Sequence, residues 1–231
     1  MELYLPLILD GATGTELQKM GYKGEVCAEQ WTLDHPDAII AIQKGYIDAG
    51  SNIVYTPTFG GNRVKLEENG IFNKTEEYNE KLALLSKEAA GTRTLVAGDI
   101  APTGLFAVPL GSITFDELVE NYEEQVRGLE KAGVDLYVIE TMMTLSDARA
   151  AMIAVKKYSD KPVIVSFTCD ENGKTLAGGD VEAALVVMQA MGADAFGLNC
   201  SVGPKDMIGP FKRLRKYARV PLVAKPNAGK P

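Results

Sequence analysis

Short apolar runs that recur at regular spacing, with amphipathic segments between them, constrain the fold of this sequence more than any other feature. Continuous apolarity over four to six residues is typical of strands buried on both faces, as in parallel sheets. The intervening segments carry helix signals, such as the capping box of Thr114 and Glu117 before an apolar stripe. This alternation predicts right-handed βαβ crossovers. Seven strands are predicted, at residues 5–9, 52–55, 94–98, 136–139, 163–167, 195–198 and 222–224.

A weak internal repeat groups these strands into pairs. The second, fourth and sixth strands each follow a turn in which a glycine is followed by any residue and then by Asn or Asp, at residues 49–52, 132–135 and 191–194. We expect each glycine to end a helix in the left-handed conformation. The pattern predicts a (β/α)8 TIM-type barrel. It would be a single domain over residues 1–231, truncated after the seventh strand and lacking the eighth β/α unit.

A barrel that stops at seven strands would expose a strand edge with unpaired backbone groups, which natural sheets avoid. Two interpretations follow from this expectation. The chain is either a fragment of a longer protein, or a partner or a swapped copy of itself closes the sheet. The composition is that of a domain with a substantial core, since 46% of the residues are hydrophobic and 24% are charged.

Charge and cysteine content indicate which partners and which compartment to expect. An excess of 31 acidic over 24 basic residues gives a net charge of −7 without a basic stripe, which argues against a nucleic-acid partner. No apolar run reaches 18 residues and no signal peptide precedes the first strand, which argues against a membrane protein. The three cysteines, Cys27, Cys169 and Cys200, are an odd number without framework spacing. This favours a reducing, cytoplasmic environment.

Chemistry in β/α barrels collects at the carboxyl ends of the strands. Three carboxylates are predicted there, those of Asp10, Asp99 and Glu140. They could bind an ammonium group or a metal, act as a base, or cap neighbouring loops. Glu140 is the best candidate for function, because it follows an apolar run and would be partly desolvated. The glycines of residues 10–15 lack the lysine of a P-loop, so a tight turn that brings backbone amides near a small substrate is favoured.

Cys200 follows the sixth predicted strand, where a thiolate could serve as a nucleophile or a zinc ligand, or simply as a small buried hydrophobe. A cysteine nucleophile would need a histidine base. The single histidine, His35, falls at a predicted helix start. This argues against cysteine–histidine catalysis, and a single histidine excludes histidine-rich metal sites.

Five motifs, taken together, resemble those of the homocysteine S-methyltransferase family. Within that family the likeness is to the homocysteine-binding barrel of the cobalamin-dependent enzymes, and it extends over essentially the whole chain. Gly-Leu-Asn-Cys is a fairly specific motif and the opening Asp-Gly-Ala-Thr-Gly-Thr is moderately so. The motifs are Asp10-Gly11-Ala12-Thr13-Gly14-Thr15-Glu16-Leu17, Thr58-Phe59-Gly60-Gly61-Asn62-Arg63, Glu140-Thr141, Gly197-Leu198-Asn199-Cys200 and Pro226-Asn227-Ala228-Gly229.

The resemblance implies zinc-dependent transfer of a methyl group to the thiol of homocysteine, which forms methionine. Zinc would lower the pKa of the substrate thiol and so generate a thiolate nucleophile. The residues matching Cys200 and Asn227 would respectively bind the zinc and lie beside it, and Cys200 would be catalytic through the metal. The implied substrate-binding residues are Asp10 and Glu140 for the amino-acid end, Gly11 and Ala12 through backbone amides, Phe59 as a wall, and Asn199.

The sequence departs from the family pattern at the zinc site. The family has two further zinc-binding cysteines in a Gly-Gly-Cys-Cys-Gly motif after the eighth strand, and this motif does not occur here. Cys169 follows the fifth predicted strand, adjacent in a barrel to the sixth, and could approach Cys200. Cys27 lies in the long loop after the first strand and is expected to be structural.

Three hypotheses for function remain open from the sequence. The first is a homocysteine methyltransferase whose donor is methylcobalamin on a separate corrinoid-carrying module or protein, favoured over S-methylmethionine or a betaine. The second is a non-catalytic barrel that binds an amino acid or thiol and lacks a complete zinc site. The third is an unrelated barrel enzyme with Glu140 as base and Lys225 as electrophile, although a solvated rim lysine is the commoner reading of Lys225.

Overall fold

A computed structural model of the chain describes residues 6–228, which form nine helices and six strands. Six of the seven predicted strands are confirmed as β1 to β6. In chain order the elements are α1 (Thr13–Lys19), α2 (Ala28–Asp34), α3 (Pro36–Asp48), β1 (Ile53–Tyr55), α4 (Arg63–Glu68), α5 (Thr75–Ala90), β2 (Leu95–Ile100), α6 (Phe115–Lys131), β3 (Leu136–Met142), α7 (Leu145–Tyr158), β4 (Val163–Phe167), α8 (Val181–Ala190), β5 (Ala195–Asn199), α9 (Pro204–Leu214) and β6 (Leu222–Lys225).

The first predicted strand, at residues 5–9, is reduced to a bridge in its described part. Leu5 lies outside the described residues. Leu9 forms one isolated parallel bridge with Ile53, and the Asn52 N–H donates to the Ile8 carbonyl at 2.7 Å. The chain therefore runs parallel to β1 at this point.

Two compact units divide the chain, and the first contains the described residues up to Ile100 together with residues 124–136. Within it, β1 and β2 pair in parallel, with Val54 opposite Val96. Helices α3 and α5 pack on each other and on β1. Burial of apolar side chains on both faces of β1 explains why its sequence is apolar throughout.

The second unit contains residues 101–123 and the described residues from Tyr137 onwards. Here β3, β4, β5 and β6 pair in parallel in chain order. Phe167 of β4 and Phe196 of β5 stack in the core with ring centroids 5.7 Å apart. The β3–β4 register shifts between Ile139 and Met142, so β3 carries an irregularity at Glu140 and Thr141. Strands β4 and β5 are buried along their length, whereas β6 is partly exposed.

The glycines of the three repeated turns all adopt the predicted left-handed conformation. Their φ angles are 105° at Gly50, 72° at Gly133 and 92° at Gly192. A residue with a Cβ atom would be strained there, because positive φ brings Cβ against its own backbone. Each turn ends a helix and starts the next strand within a few residues.

The Asn or Asp that closes each repeated turn makes the same pair of hydrogen bonds to one residue of the preceding strand, or, for Asn52, of the segment that bridges to β1. In every case its side-chain oxygen accepts a backbone N–H at 2.8 Å, and its own N–H donates to the carbonyl of the same residue. The partners are Ile8 for Asn52, Val96 for Asp135 and Val163 for Asp194. We call these three contacts the turn staples. These hydrogen bonds are the structural counterpart of the sequence repeat that groups consecutive strands into pairs.

Helix ends follow the signals in the sequence. The Glu117 N–H donates to Thr114 Oγ1 at 3.2 Å, and the Thr114 N–H donates to Glu117 Oε2 at 2.8 Å, which confirms the capping box before α6. The Asp147 N–H donates to Thr144 Oγ1 at 3.0 Å and so caps α7. Within residues 6–228, each helix is too short or too polar to cross a lipid bilayer.

Candidate functional site

In the second unit, three side chains lie near the carboxyl ends of β3, β5 and β6: Glu140 two residues before the end of β3, Cys200 directly after β5, and Lys225 as the last residue of β6. Glu140 Oε2 lies 3.8 Å from Lys225 Nζ, an ion pair between the ends of β3 and β6. The Cys200 N–H donates to the Lys225 carbonyl at 3.1 Å, which continues the β5–β6 pairing one residue beyond β5. Asn227 is tied to the loop after Cys200 by a 3.2 Å bond from its N–H to the Val202 carbonyl.

The Cys200 thiol is partly buried, and burial raises its pKa above the usual value. The negative charge of Glu140 raises this pKa further, while hydrogen bonds from Thr141 and Asn199 and the charge of Lys225 lower it. The protonated thiol is therefore the form that these surroundings favour at neutral pH. A positive charge bound at the sulfur would be needed to shift Cys200 towards the thiolate.

Asn199 is the last residue of β5 and is 1% exposed. Its Oδ1 accepts from the Thr141 N–H at 3.0 Å and from Ser166 Oγ at 2.9 Å. Its Nδ2 donates to Thr141 Oγ1 at 2.7 Å and to Cys200 Sγ at 3.3 Å. All four hydrogen-bonding positions of the amide are thus directed at other residues of the second unit.

In the first unit, the segment after the first predicted strand is held closely against neighbouring residues. The Asp10 carboxylate is buried and accepts the Tyr55 N–H at 2.7 Å. The Tyr46 hydroxyl donates to the Ala12 carbonyl at 2.9 Å. A Cβ atom on Gly11 would lie 2.7 Å from the Tyr46 ring, so a larger residue there would have to displace this ring.

Phe59 lies in the loop between β1 and α4 and is about half exposed, at 48%. Glu29 fixes this loop from α2, where its buried carboxylate accepts the Gly60 N–H at 2.6 Å. Burial raises the pKa of Glu29, and the bond from Gly60 opposes this shift. Two buried side-chain amides complete the support, because Asn79 donates to the Gly61 carbonyl and Gln125 to the Thr58 carbonyl.

Sequence reasoning missed Glu29, Asn79 and Gln125 as supports of this loop. Glu29 bonds a residue 31 positions away, and Gln125 bonds one 67 positions away. The one signal in the sequence was the presence of polar residues on otherwise apolar helix faces.

Two carboxylates that were predicted to follow strands lie inside them. Asp99 lies inside β2, at 4% exposure, rather than after the strand. Glu140 likewise lies within β3, since the strand continues through its irregularity to Met142.

The described residues do not complete a zinc site of the kind that the family resemblance implies. Residues 6–228 contain no cluster of three or more His, Cys, Asp or Glu side chains placed to hold a metal. A catalytic zinc needs about three protein ligands. Cys169 is buried, and burial raises its pKa to about 11, which disfavours the thiolate that zinc binds. The assignment of Cys200 as a zinc ligand stays a prediction.

The fold and the polar strand ends define a parallel β/α domain of the TIM-barrel class. Homocysteine methyltransferase MmuM from Escherichia coli, in its metallated form, superposes with a TM-score of 0.81 at 22% identity, over 96% of this chain and 84% of that one. The oxidized form of the same protein gives a TM-score of 0.83. This likeness confirms the predicted fold class.

The sequence model of the homocysteine S-methyltransferase family matches residues 7–231, and the chain belongs to this family. It is 30% identical to a methionine synthase from Mycobacterium leprae and 29% identical to one from Mycobacterium tuberculosis. Each match covers 97% of this chain and 20% of the relative. The chain therefore spans about a fifth of the length of these curated relatives.

Proposed function

We propose that this chain binds homocysteine and takes part in the transfer of a methyl group to its thiol, forming methionine. Family membership supports this reaction, and the methionine synthase relatives support its product. The observation that carries the proposal is the grouping of Glu140, Cys200 and Lys225 at the strand ends of the second unit. A carboxylate there suits the ammonium group of an amino acid, and a thiol suits the place where sulfur chemistry occurs.

Individual residue roles are part of the proposal. Glu140 is 9% exposed, so an ammonium group that reached its carboxylate would be bound in partly desolvated surroundings. Asp10, Gly11, Ala12 and Phe59 keep the substrate-binding roles that the family resemblance implies. Each of these roles can be tested by substitution of one residue at a time.

Zinc and methylcobalamin also belong to the proposal. Zinc, when bound, would lower the pKa of the homocysteine thiol, with Cys200 as one ligand and Asn227 beside it. The described residues supply too few ligands for this metal, so no reaction step through zinc follows from them. The greater length of the methionine synthase relatives supports a methyl donor on a separate corrinoid-carrying module. Three free cysteines support a cytoplasmic location.

Calorimetry with homocysteine tests the proposal directly. We expect the chain to bind homocysteine and Glu140→Gln to weaken binding at least tenfold, because the variant loses the charge that faces the ammonium group. Glu171→Gln, which removes an exposed carboxylate, is the matched control and should bind as the wild type does. Equal affinity of the wild type and Glu140→Gln would contradict the role of Glu140.

Removal of zinc by a chelator distinguishes two hypotheses, a zinc-dependent methyltransferase and a non-catalytic barrel. The second hypothesis is suggested by the lack of a three-ligand metal cluster within residues 6–228. Loss of affinity on addition of a zinc chelator, with recovery when zinc is restored, supports the methyltransferase. Affinity for homocysteine that is the same with and without chelator supports a barrel that binds the amino acid without zinc chemistry.

A further inference from the structure

We infer that Asn199 is a positioning residue that fixes the irregularity in β3 and, with it, the directions of Glu140 and of the Cys200 sulfur. The inference has a structural half, that Asn199 holds the irregularity in β3, and a functional half, that homocysteine binding depends on it. The functional half rests on the proposed function. The structural half stands on hydrogen bonds alone. It assigns Asn199 a different role from the substrate contact that the family resemblance implies.

The orientation of the Asn199 amide follows from its partners. A backbone N–H can only donate, so the atom that faces the Thr141 N–H must be the oxygen, Oδ1. The nitrogen Nδ2 must then face Thr141 Oγ1 and Cys200 Sγ, and both of these atoms accept. Because Oδ1 also accepts from Ser166, no lone pair and no N–H of the amide is left for a ligand.

Three non-glycine residues at the ends of β3 and β5 adopt the left-handed conformation. Their φ angles are 59° at Thr141, 58° at Cys200 and 56° at Ser201. A β-branched residue such as Thr141 is a genuine outlier there, and such residues persist when surrounding contacts hold them in place. Asn199 bonds both the N–H and the hydroxyl of Thr141, and it bonds the sulfur of Cys200.

The irregularity in β3 explains why a side chain is needed. The β3–β4 register breaks between Ile139 and Met142, so the Thr141 N–H falls where regular strand pairing is interrupted. Asn199, at the end of β5, accepts a hydrogen bond from this N–H through its Oδ1, across the intervening strand β4. Glu140 precedes Thr141 and Cys200 follows Asn199. The Asn199 amide therefore fixes the backbone beside both Glu140 and Cys200.

Hydrogen exchange by NMR separates this local role from a general loss of stability. In Asn199→Ala, we expect the Thr141 amide to exchange at least tenfold faster, while amides within β4 keep their wild-type rates. In Asn199→Asp, the carboxylate still accepts the Thr141 N–H, so this amide stays slow. Ser166→Ala leaves the Thr141 bond intact and should also stay slow. A role in global stability would instead accelerate Thr141 and the β4 amides together.

Homocysteine calorimetry on the same proteins tests the functional half. Asn199→Ala loses the bonds to Thr141 Oγ1 and Cys200 Sγ, and the carboxylate of Asn199→Asp cannot donate to the sulfur, so we expect each variant to bind at least tenfold more weakly. Asn69→Ala, which removes an exposed asparagine amide, should bind within threefold of the wild type. If Asn199→Ala does not fold, Asn199→Asp alone decides this half.

Wild-type exchange at Thr141 in Asn199→Ala would overturn the structural half of the inference. Wild-type affinity in Asn199→Asp would overturn the functional half. If the wild-type chain does not bind homocysteine at all, the proposed function fails, while the exchange rates still decide whether Asn199 holds the end of β3.

Discussion

Gly197, in the Gly-Leu-Asn-Cys motif of β5, lies where two strands approach too closely for a side chain. It pairs with Val223 of β6, and a Cβ atom on Gly197 would overlap the Val223 carbonyl oxygen and lie 2.7 Å from the Val223 Cβ. Position 197 lies within a regular strand, so space rather than backbone conformation demands glycine. The residue two positions before Asn199 thus keeps β6, which carries Lys225, close to β5.

We predict that Gly197→Ala lowers the free energy of unfolding by about 1–3 kcal/mol, because the added methyl group must push β6 away. Urea denaturation measures this change. Gly45→Ala is the control, because Gly45 lies within α3 with open space around it. There alanine should raise the stability by about 0.5–1 kcal/mol through its better helix propensity. Wild-type stability in Gly197→Ala would contradict the close approach.

At the scale of elements, the turn staples show how a sequence repeat becomes a structural unit. An asparagine in one copy and aspartates in the other two make the same pair of hydrogen bonds. The contact therefore needs an oxygen acceptor and does not need a charge. Each staple joins residues that are 31 to 44 positions apart, so it spans one complete strand–helix unit.

We predict that Asp194→Ala destabilises the protein by about 1–3 kcal/mol, because the partly buried Val163 N–H loses its acceptor. Asp194→Asn should stay within about 0.5 kcal/mol of the wild type, since Asn52 makes the same contact with an amide oxygen. Thermal and urea denaturation of the two variants provide the comparison. Equal losses in both variants would show that the charge of Asp194 matters instead.

The elements were predictable from sequence to different degrees. The apolar runs predicted the bounds of β4 and β5 to within one residue, because strands buried on both faces are apolar throughout. β3 extends three residues beyond its predicted end, since an irregularity carries the strand past the polar Glu140 and Thr141. The partners of Asn199 and Glu29 were not predictable, because they depend on contacts between residues 31 to 58 positions apart.

At the scale of the whole molecule, one buried carboxyl group links folding to pH. Asp147 is 2% exposed, in the first turn of α7, and its Oδ1 accepts from the Tyr122 hydroxyl at 2.6 Å and from Thr103 Oγ1 at 3.4 Å. Burial raises the pKa of Asp147 to about 6, from an ordinary 3.8. The folded chain therefore holds this proton more tightly than the unfolded chain does.

Because the folded pKa is the higher one, the contribution of Asp147 to stability falls as the pH rises from about 4 to about 6, and is level above that. Asp147→Asn mimics the protonated form and removes the dependence. We predict that the variant gains about 2 kcal/mol relative to the wild type between pH 4.5 and pH 7.5. Urea denaturation of both proteins at the two pH values checks this, and a constant difference would contradict it.

The turn staples also have a consequence for protein design. Residues 49–52, 132–135 and 191–194 each follow the end of a helix, reverse the chain and bond back through a side-chain oxygen and a backbone N–H. Their middle residues differ, as Ser51, Val134 and Ala193, without changing the contact. We therefore expect that one of these tetrapeptides can replace another without loss of the contact. A designed strand–helix–strand segment could use any of them as its helix-to-strand turn.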